Sequence, residues 1–249
     1  MIDTHCHLNK DYYEDIDKVL KENQKVGVTK IIISATNKNE FAETLEIISK
    51  YQDVFASLGI HPEYANTYKE KDLDLLKKLL KTKKVVAVGE IGLDYHYNKD
   101  NKENQKKLFQ KQLEIAQDLS LPVVIHTRDA INDTVNILKK YKLKGVIHCF
   151  SGSYETANLY LKLGLKLGIG GVITFKNSNL KETLQKIDLD NIVLETDSPY
   201  LTPEPNRGKQ NSSKNLIYIV KTISNIKNLK TTEVVSKTTK NASDLFDLL

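Results

Sequence analysis

Five of the six histidines in this 249-residue chain fall at or just beyond the end of a short apolar run, which is the pattern of a buried strand. The five are His5, His7, His61, His126 and His148. Neutral imidazole is the commonest metal ligand in proteins and suits zinc, manganese, iron or nickel. A single histidine in such a place is more often a core or loop residue, but five together favour a metal site.

Carboxylates at other strand ends complete a mixed set of candidate ligands. They come from Asp3, Glu90 and Asp197. On the first predicted strand His5 and His7 are two residues apart, so both imidazoles point to the same face and can bind one ion. A carboxylate such as Glu90 is costly to bury without a cation or hydrogen bonds to neutralise it. For Asp197 the alternative is a helix N-cap or a turn residue before Pro199.

Arg128 and Arg207 are the only arginines among the 37 Lys and Arg residues. In a chain that otherwise uses lysine, each arginine supplies a planar pair of donors for phosphate or carboxylate oxygens that lysine cannot match. The alternatives are a surface ion pair and chance placement.

Two features of the last predicted strands have structural interpretations. Glu195 precedes Asp197 by two residues and so faces the same side, where it could orient a metal ligand or pair with Arg207. Residues 168–171, with the sequence GIGG, lack the spacing of a phosphate-binding loop. They more simply predict close packing of backbone at a strand end.

The elements that must position these residues alternate between short apolar runs and longer amphipathic segments. Strands are predicted at residues 1–5, 30–35, 54–59, 85–91, 122–126, 145–149, 166–170 and 192–196. They are apolar on successive residues, as parallel strands buried on both faces are. Between them, spacings such as that of Leu73, Leu76 and Leu80 predict helices.

Eight such alternations favour an α/β fold with a single domain over residues 1–249, a (β/α)8 TIM barrel with an extra C-terminal helix. An open, doubly wound parallel sheet is the structural competitor. No linker rich in proline or glycine indicates a second domain.

Composition narrows the class of protein. With 40% hydrophobic and 28% charged residues the chain has enough apolar side chains for a packed core, which excludes wholesale disorder. A net charge of +5 is compatible with a polyanionic partner but is weak evidence for one. Two cysteines, no signal peptide and no run of ~18 apolar residues predict a cytoplasmic protein without a membrane segment. No obligatory protein partner is indicated.

Taken in order, the segments that carry these residues resemble the TatD family of metal-dependent deoxyribonucleases. The matching segments are residues 3–8, 59–62, 89–95, 121–130, 148–152, 195–201 and 205–211. The resemblance covers almost the whole chain without large insertions. An HxH opening occurs in many barrel hydrolases, so the ordered set is more specific than any one segment.

The resemblance implies a hydrolase that uses two divalent ions, with Mg²⁺, Mn²⁺ or Zn²⁺ as candidates. The implied ligands are His5, His7, Glu90 and Asp197 for one ion and Glu90, His126 and His148 for the other. Glu90 would bridge the two ions. Paired ions lower the pKa of a shared water and stabilise the oxyanions of an in-line displacement. In this scheme Asp197 is the general base, and His61, Arg128 and Arg207 contact the scissile phosphate.

The leading functional hypothesis is therefore a metal-dependent deoxyribonuclease, with DNA as its substrate and exonucleolytic cleavage expected. A second hypothesis retains the metal ions but assigns a different bond to be hydrolysed, as in an esterase, an amidohydrolase or a deacylase of misacylated tRNA. A third is a metal-binding scaffold without catalysis.

Overall fold

The computed structural model describes residues 1–96 and 100–248. Within them, eight parallel strands form one sheet in which each strand pairs with the next along the chain. The strands are β1 (Ile2–Cys6), β2 (Lys30–Ala35), β3 (Val54–Leu58), β4 (Val85–Asp94), β5 (Val123–Arg128), β6 (Gly145–Ile147), β7 (Leu165–Ile169) and β8 (Ile192–Leu194). The predicted (β/α)8 barrel is confirmed, and β4 extends three residues beyond the predicted end.

Nine α-helices lie within the part of the chain that the structure describes. They are α1 (Ile16–Lys25), α2 (Lys38–Lys50), α3 (Glu70–Leu79), α4 (Lys102–Leu119), α5 (Ile131–Leu138), α6 (Tyr154–Leu161), α7 (Leu180–Lys186), α8 (Leu216–Lys227) and α9 (Thr231–Phe246). The start of α1 shows how the sequence sets such bounds, because the Asp15 carboxylate accepts a hydrogen bond from the Lys18 amide at 2.9 Å. None of the described helices is both long and apolar enough to cross a membrane.

Backbone hydrogen bonds just beyond the strand ends complete the ring between β8 and β1. The amide of Asp197 donates to the carbonyl of His5 at 3.0 Å. The amide of His7 donates to the carbonyl of Ser198 at 2.7 Å. These two bonds fix the segment after β8 beside the His5 and His7 pair, so the closure of the barrel also brings candidate ligands together.

The mouth of the barrel at which the strands begin, here called the lower mouth, is closed by α9 and the residues after it. Phe246 and Leu248 are buried there among strand residues that include Ile32 and Val124. The Lys30 ammonium group donates to the Leu248 carbonyl at 2.9 Å. The predicted extra C-terminal helix is confirmed, and it seals the mouth opposite to the one where the strands end, here called the upper mouth.

Close backbone packing at the end of β7 agrees with the interpretation of residues 168–171. A Cβ atom on Gly168 would lie 2.1 Å from Oε2 of Glu195, and one on Gly171 would lie 2.0 Å from the carbonyl oxygen of Leu201. Any side chain at either position would displace the segment that follows β8.

Candidate metal centre

A cavity of about 390 Å³ opens at the upper mouth. The described residues that line it include His7, His61, Glu90, His126, Arg128, His148 and Asp197. His5 lies beneath them and is fully buried. Strand ends therefore converge on this cavity, as expected for the active-site face of a (β/α)8 barrel.

A first group of side chains surrounds one oxygen of Glu90. Nε2 of His5 lies 3.4 Å from Glu90 Oε2 and 3.5 Å from Asp197 Oδ1. Nε2 of His7 lies 3.5 Å from the same Asp197 oxygen and 4.0 Å from Glu90 Oε2. Four donor atoms thus face one small volume, as the resemblance implied for one ion.

A second group surrounds the other oxygen of Glu90. Glu90 Oε1 lies 2.9 Å from Nδ1 of His126 and 2.8 Å from Nε2 of His148. Nε2 of His61 lies 3.6 Å from the same oxygen. His61, which the sequence analysis assigned to the phosphate, therefore lies in contact with the ligand cluster.

Groups behind the imidazoles determine which ring nitrogen faces the cavity. Nδ1 of His7 lies 3.0 Å from the Ser34 carbonyl oxygen, which can only accept, so this nitrogen carries the proton. Nε2 of His7 is then the nitrogen that faces the first group. Nδ1 of His5 lies 3.0 Å from the Ser34 hydroxyl, so its Nε2 also points towards that group.

Asp94 orients the ring of His126, as Ser34 orients the rings of His5 and His7. The sequence analysis does not identify Asp94. Its Oδ2 lies 3.0 Å from Nε2 of His126, while Gln105 makes two hydrogen bonds of 2.8 Å to the Asp94 backbone. The sequence does carry a signal for Asp94, because Glu90, Gly92 and Asp94 alternate along one strand and so face the same side. The predicted strand ends at residue 91 and therefore leaves Asp94 out.

Gly92 is the residue that allows β4 and β5 to approach each other at this point. Its φ is +145°, and a Cβ atom there would lie 1.9 Å from the carbonyl oxygen of His126. Only glycine combines this conformation with this contact. The glycine between Glu90 and Asp94 therefore sets the position of the His126 backbone.

Both carboxylates of the cluster are ionised at neutral pH. Burial by itself raises the pKa of Glu90, but His148 and His126 outweigh it and hold the value well below the usual range. Burial likewise opposes ionisation of Asp197, yet the hydrogen bond from His7 lowers its pKa. The pKa of His5 falls to about 4 because of burial and the neighbouring His148. Unprotonated His5 keeps a lone pair for a cation.

The donor set fits divalent cations. Three overlapping groups each bring three ligand atoms within 4.8 Å of one another. The groups are His5, Glu90 and His148; His5, His7 and Asp197; and His61, Glu90 and His126. Mixed imidazole and carboxylate ligands suit Zn²⁺ and Mn²⁺, and the carboxylates also accept Mg²⁺.

The two arginines are in different places. Arg128 is exposed and lines the cavity. Arg207 stacks on Phe175, with Cζ 4.0 Å from the ring centroid, and its Nη1 lies 3.4 Å from the Thr202 carbonyl oxygen. Arg207 is not among the described residues that line the cavity.

Asp3 and Glu195 are buried at the edge of the cluster and not within it. The Asp3 carboxylate accepts hydrogen bonds from the Thr196 hydroxyl at 2.6 Å and amide at 3.0 Å, so it holds the end of β8. Glu195 accepts from the Cys149 amide at 2.5 Å and lies 3.9 Å from Nδ1 of His148. Of its two predicted roles, this position favours orientation of a ligand over pairing with Arg207.

Comparison with known proteins gives consistent matches over the whole chain. The family described as TatD related DNase matches residues 2–247. An uncharacterized metal-dependent hydrolase, YabD of Bacillus subtilis, is 39% identical over 99% of this chain and 98% of its own. The 3'-5' ssDNA/RNA exonuclease TatD of Erwinia tasmaniensis is 34% identical over 95% of each chain. The crystal structure of YjjV, a TatD homologue from Escherichia coli, superposes with a TM-score of 0.93 at 32% identity, covering 99% and 97% of the two chains.

Proposed function

Because this chain belongs to the family of TatD-related DNases and is a metal-dependent hydrolase that acts on ester bonds, we propose that its substrate is DNA and that it removes nucleotides from a chain end. The relative named as a 3'-5' ssDNA/RNA exonuclease supports this choice of substrate. The two unpaired cysteines fit a reducing compartment, so we assign the reaction to the cytoplasm.

One observation carries the proposal of two ions. The two oxygens of Glu90 face different sets of imidazoles, with His5 3.4 Å from Oε2 and His148 2.8 Å from Oε1. A carboxylate with this arrangement can bridge two cations. When bound, a pair of divalent ions activates water for attack on phosphorus and offsets the charge on the phosphoryl oxygens.

The chain's own residues then have distinct roles. Asp197 is ionised and faces the space shared by His5 and His7, where it accepts the proton of the attacking water. Nδ1 of His61 accepts a hydrogen bond from the Glu63 amide at 3.3 Å, so the ring proton lies on Nε2.

From Nε2, His61 donates to a phosphate oxygen in the cavity. The exposed Arg128 lines the same cavity and contributes a second, charged donor to the phosphate. Arg207 has no role in this assignment, because it stacks on Phe175.

The test is hydrolysis of single-stranded oligonucleotides by metal-stripped protein to which Mg²⁺, Mn²⁺ or Zn²⁺ is returned. Oligonucleotides labelled at the 5′ or the 3′ end reveal cleavage and its direction. The wild-type protein is expected to release mononucleotides, and a His148→Ala variant prepared in the same way is expected not to. Equal release by both preparations, or ester turnover far above DNA cleavage, overturns the proposal.

A further inference from the structure

Two exposed tyrosines lie beside the metal cavity. Tyr12, in the loop after β1, is 37% exposed, and Tyr200, in the loop after β8, is 48% exposed. Their hydroxyl oxygens are 2.6 Å apart and their ring centroids 5.8 Å apart. The ring centroid of Tyr200 lies 5.9 Å from that of His7. Exposed aromatic surface is thus held in a fixed position next to a candidate metal ligand.

Tyr12 also lines a second cavity, of about 470 Å³, so this tyrosine lies where two cavities meet. The second cavity lies between the beginning of α1 and residues 210–214. Gln210 anchors this boundary, since its side-chain amide donates to the Tyr12 carbonyl at 2.5 Å.

The second cavity carries charges of both signs. Lys18 and Lys214 line it, together with Glu14, Asp15 and Glu22. Glu22 lies 2.6 Å from Lys214 and also interacts with the charge of Lys18, while the Asp15 carboxylate accepts from the Lys18 amide and keeps its charge. This cavity therefore offers no excess of cations, and the tyrosine rings are the feature that carries the inference.

We infer that Tyr12 and Tyr200 form a stacking platform for a base of single-stranded nucleic acid, next to the nucleotide that is cleaved. This inference rests on the proposed function and deepens it. Every base has a π-face, so stacking tolerates any sequence. A base within a duplex is already stacked and paired, so the platform selects single strands.

A purely structural role for the tyrosines is the competing explanation. Their hydroxyl pair joins the loops after β1 and β8, and the Tyr200 ring covers His7. Substitution by phenylalanine removes the hydroxyl bond and keeps both rings, whereas substitution by leucine removes the rings. Stacking predicts that only the leucine variants change nucleic-acid binding, whereas a structural link through the hydroxyl pair predicts that the phenylalanine variants change it as well. Support of His7 by the Tyr200 ring predicts a loss in Tyr200→Leu that also appears with a substrate that has no bases.

The first experiment measures binding without catalysis. Fluorescence anisotropy of a labelled thymidine decanucleotide is recorded in excess chelator for wild type, Tyr12→Leu, Tyr200→Leu and the two phenylalanine variants. Each leucine substitution is expected to weaken binding about 10-fold, because this is the gain in affinity that stacking of one base on an aromatic ring provides. The phenylalanine variants are expected to stay within about twofold of wild type. Tyr141→Leu, which alters a half-buried tyrosine just before β6 at the lower mouth, is the matched control.

The second experiment compares kcat/KM for the decanucleotide with kcat/KM for a decamer of abasic tetrahydrofuran phosphate, which has the same charged backbone and no base to stack. The ratio is expected to fall about 10-fold in each leucine variant. If wild type cleaves both substrates and the leucine variants keep its ratio and its affinity, this inference is wrong while the proposed function stands. If wild type cleaves neither substrate with any metal, the proposed function itself is overturned.

Discussion

Asp94 and Glu90 contact opposite sides of the His126 ring. Oδ2 of Asp94 lies 3.0 Å from Nε2 of His126, and Oε1 of Glu90 lies 2.9 Å from Nδ1. The Asp94 carboxylate accepts the Nε2 proton and so leaves the lone pair of Nδ1 directed at the candidate ion. Asp94 also accepts a hydrogen bond from the His96 amide at 2.8 Å through its other oxygen, which fixes its orientation.

Asp94→Asn is expected to lower metal affinity or kcat by about 10- to 100-fold. If the amide oxygen stays on the His96 amide, the amide NH2 group faces His126 and favours the ring tautomer whose proton blocks Nδ1. Titration calorimetry with Mn²⁺ measures the affinity. Asp133→Asn is the control, because that carboxylate accepts from the Tyr95 hydroxyl at 2.7 Å, pairs with Lys106 at 2.9 Å and is not among the described residues that line the cavity. An Asp94 variant that binds and turns over like wild type would show that His126 needs no positioning.

Glu90→Gln is expected to reduce bound metal from the two ions per chain that we propose to one or none, and activity by about 100-fold or more. The glutamine amide replaces one accepting oxygen by a donor, so only one of the two groups retains its oxygen. Elemental analysis after dialysis against metal gives the stoichiometry, with the exposed Glu103→Gln as control. Two ions retained in the glutamine variant would exclude a bridging role for this residue.

Phe246→Ala is expected to lower the free energy of unfolding by about 3 to 5 kcal/mol, because the side chain is 2% exposed and its removal leaves a cavity. Leu229→Ala, at a residue that is 37% exposed, should change it by about 0.5 kcal/mol or less. Urea denaturation followed by circular dichroism compares the two. Similar losses in both variants would mean that the seal of the lower mouth contributes little to stability.

Asp72 makes part of the stability of the fold dependent on pH. Its carboxylate accepts hydrogen bonds of 3.0 Å from the Lys69 amide and from the Lys38 ammonium group. Burial raises the pKa of Asp72, but these bonds outweigh it, so the pKa in the folded state lies below the ordinary 3.8. The unfolded chain therefore takes up the proton first as pH falls, and the stabilising contribution, complete above pH 3.8, is lost as pH falls through the folded value.

The free energy of unfolding of wild type should consequently exceed that of Asp72→Asn at neutral pH, with a difference that shrinks in acid. Denaturant titrations between about pH 2 and pH 7 measure the difference at each pH. A difference that is constant over this range would mean that ionisation of Asp72 does not contribute to stability.

Much of the barrel could be predicted because parallel strands that are buried on both faces appear in the sequence as continuous apolar runs. The strand Lys30–Ala35 is an example, and its bounds agree with the prediction. The gathering of His5, Glu90 and His148 followed from the barrel, since the carboxyl ends of its strands meet at one mouth. The same logic failed for Asp94, because the predicted strand ended too early.

Arg207 shows the limit of such reasoning for loops. Its residue type indicated a phosphate contact, but the path of a loop depends on contacts with distant segments that no local pattern records. Here the guanidinium group packs on Phe175, which follows β7. The sequence therefore predicted the chemical nature of the side chain and not its partner.

Phe246 and Leu248 close the lower mouth and take no part in lining the cavity at the upper mouth. Residues that keep the protein folded and residues that meet the substrate thus occupy opposite ends of the same strands. During evolution the loops at the upper mouth can exchange side chains while the seal below stays intact. Descendants of such a barrel can therefore diverge in what they hydrolyse without first having to regain a foldable architecture.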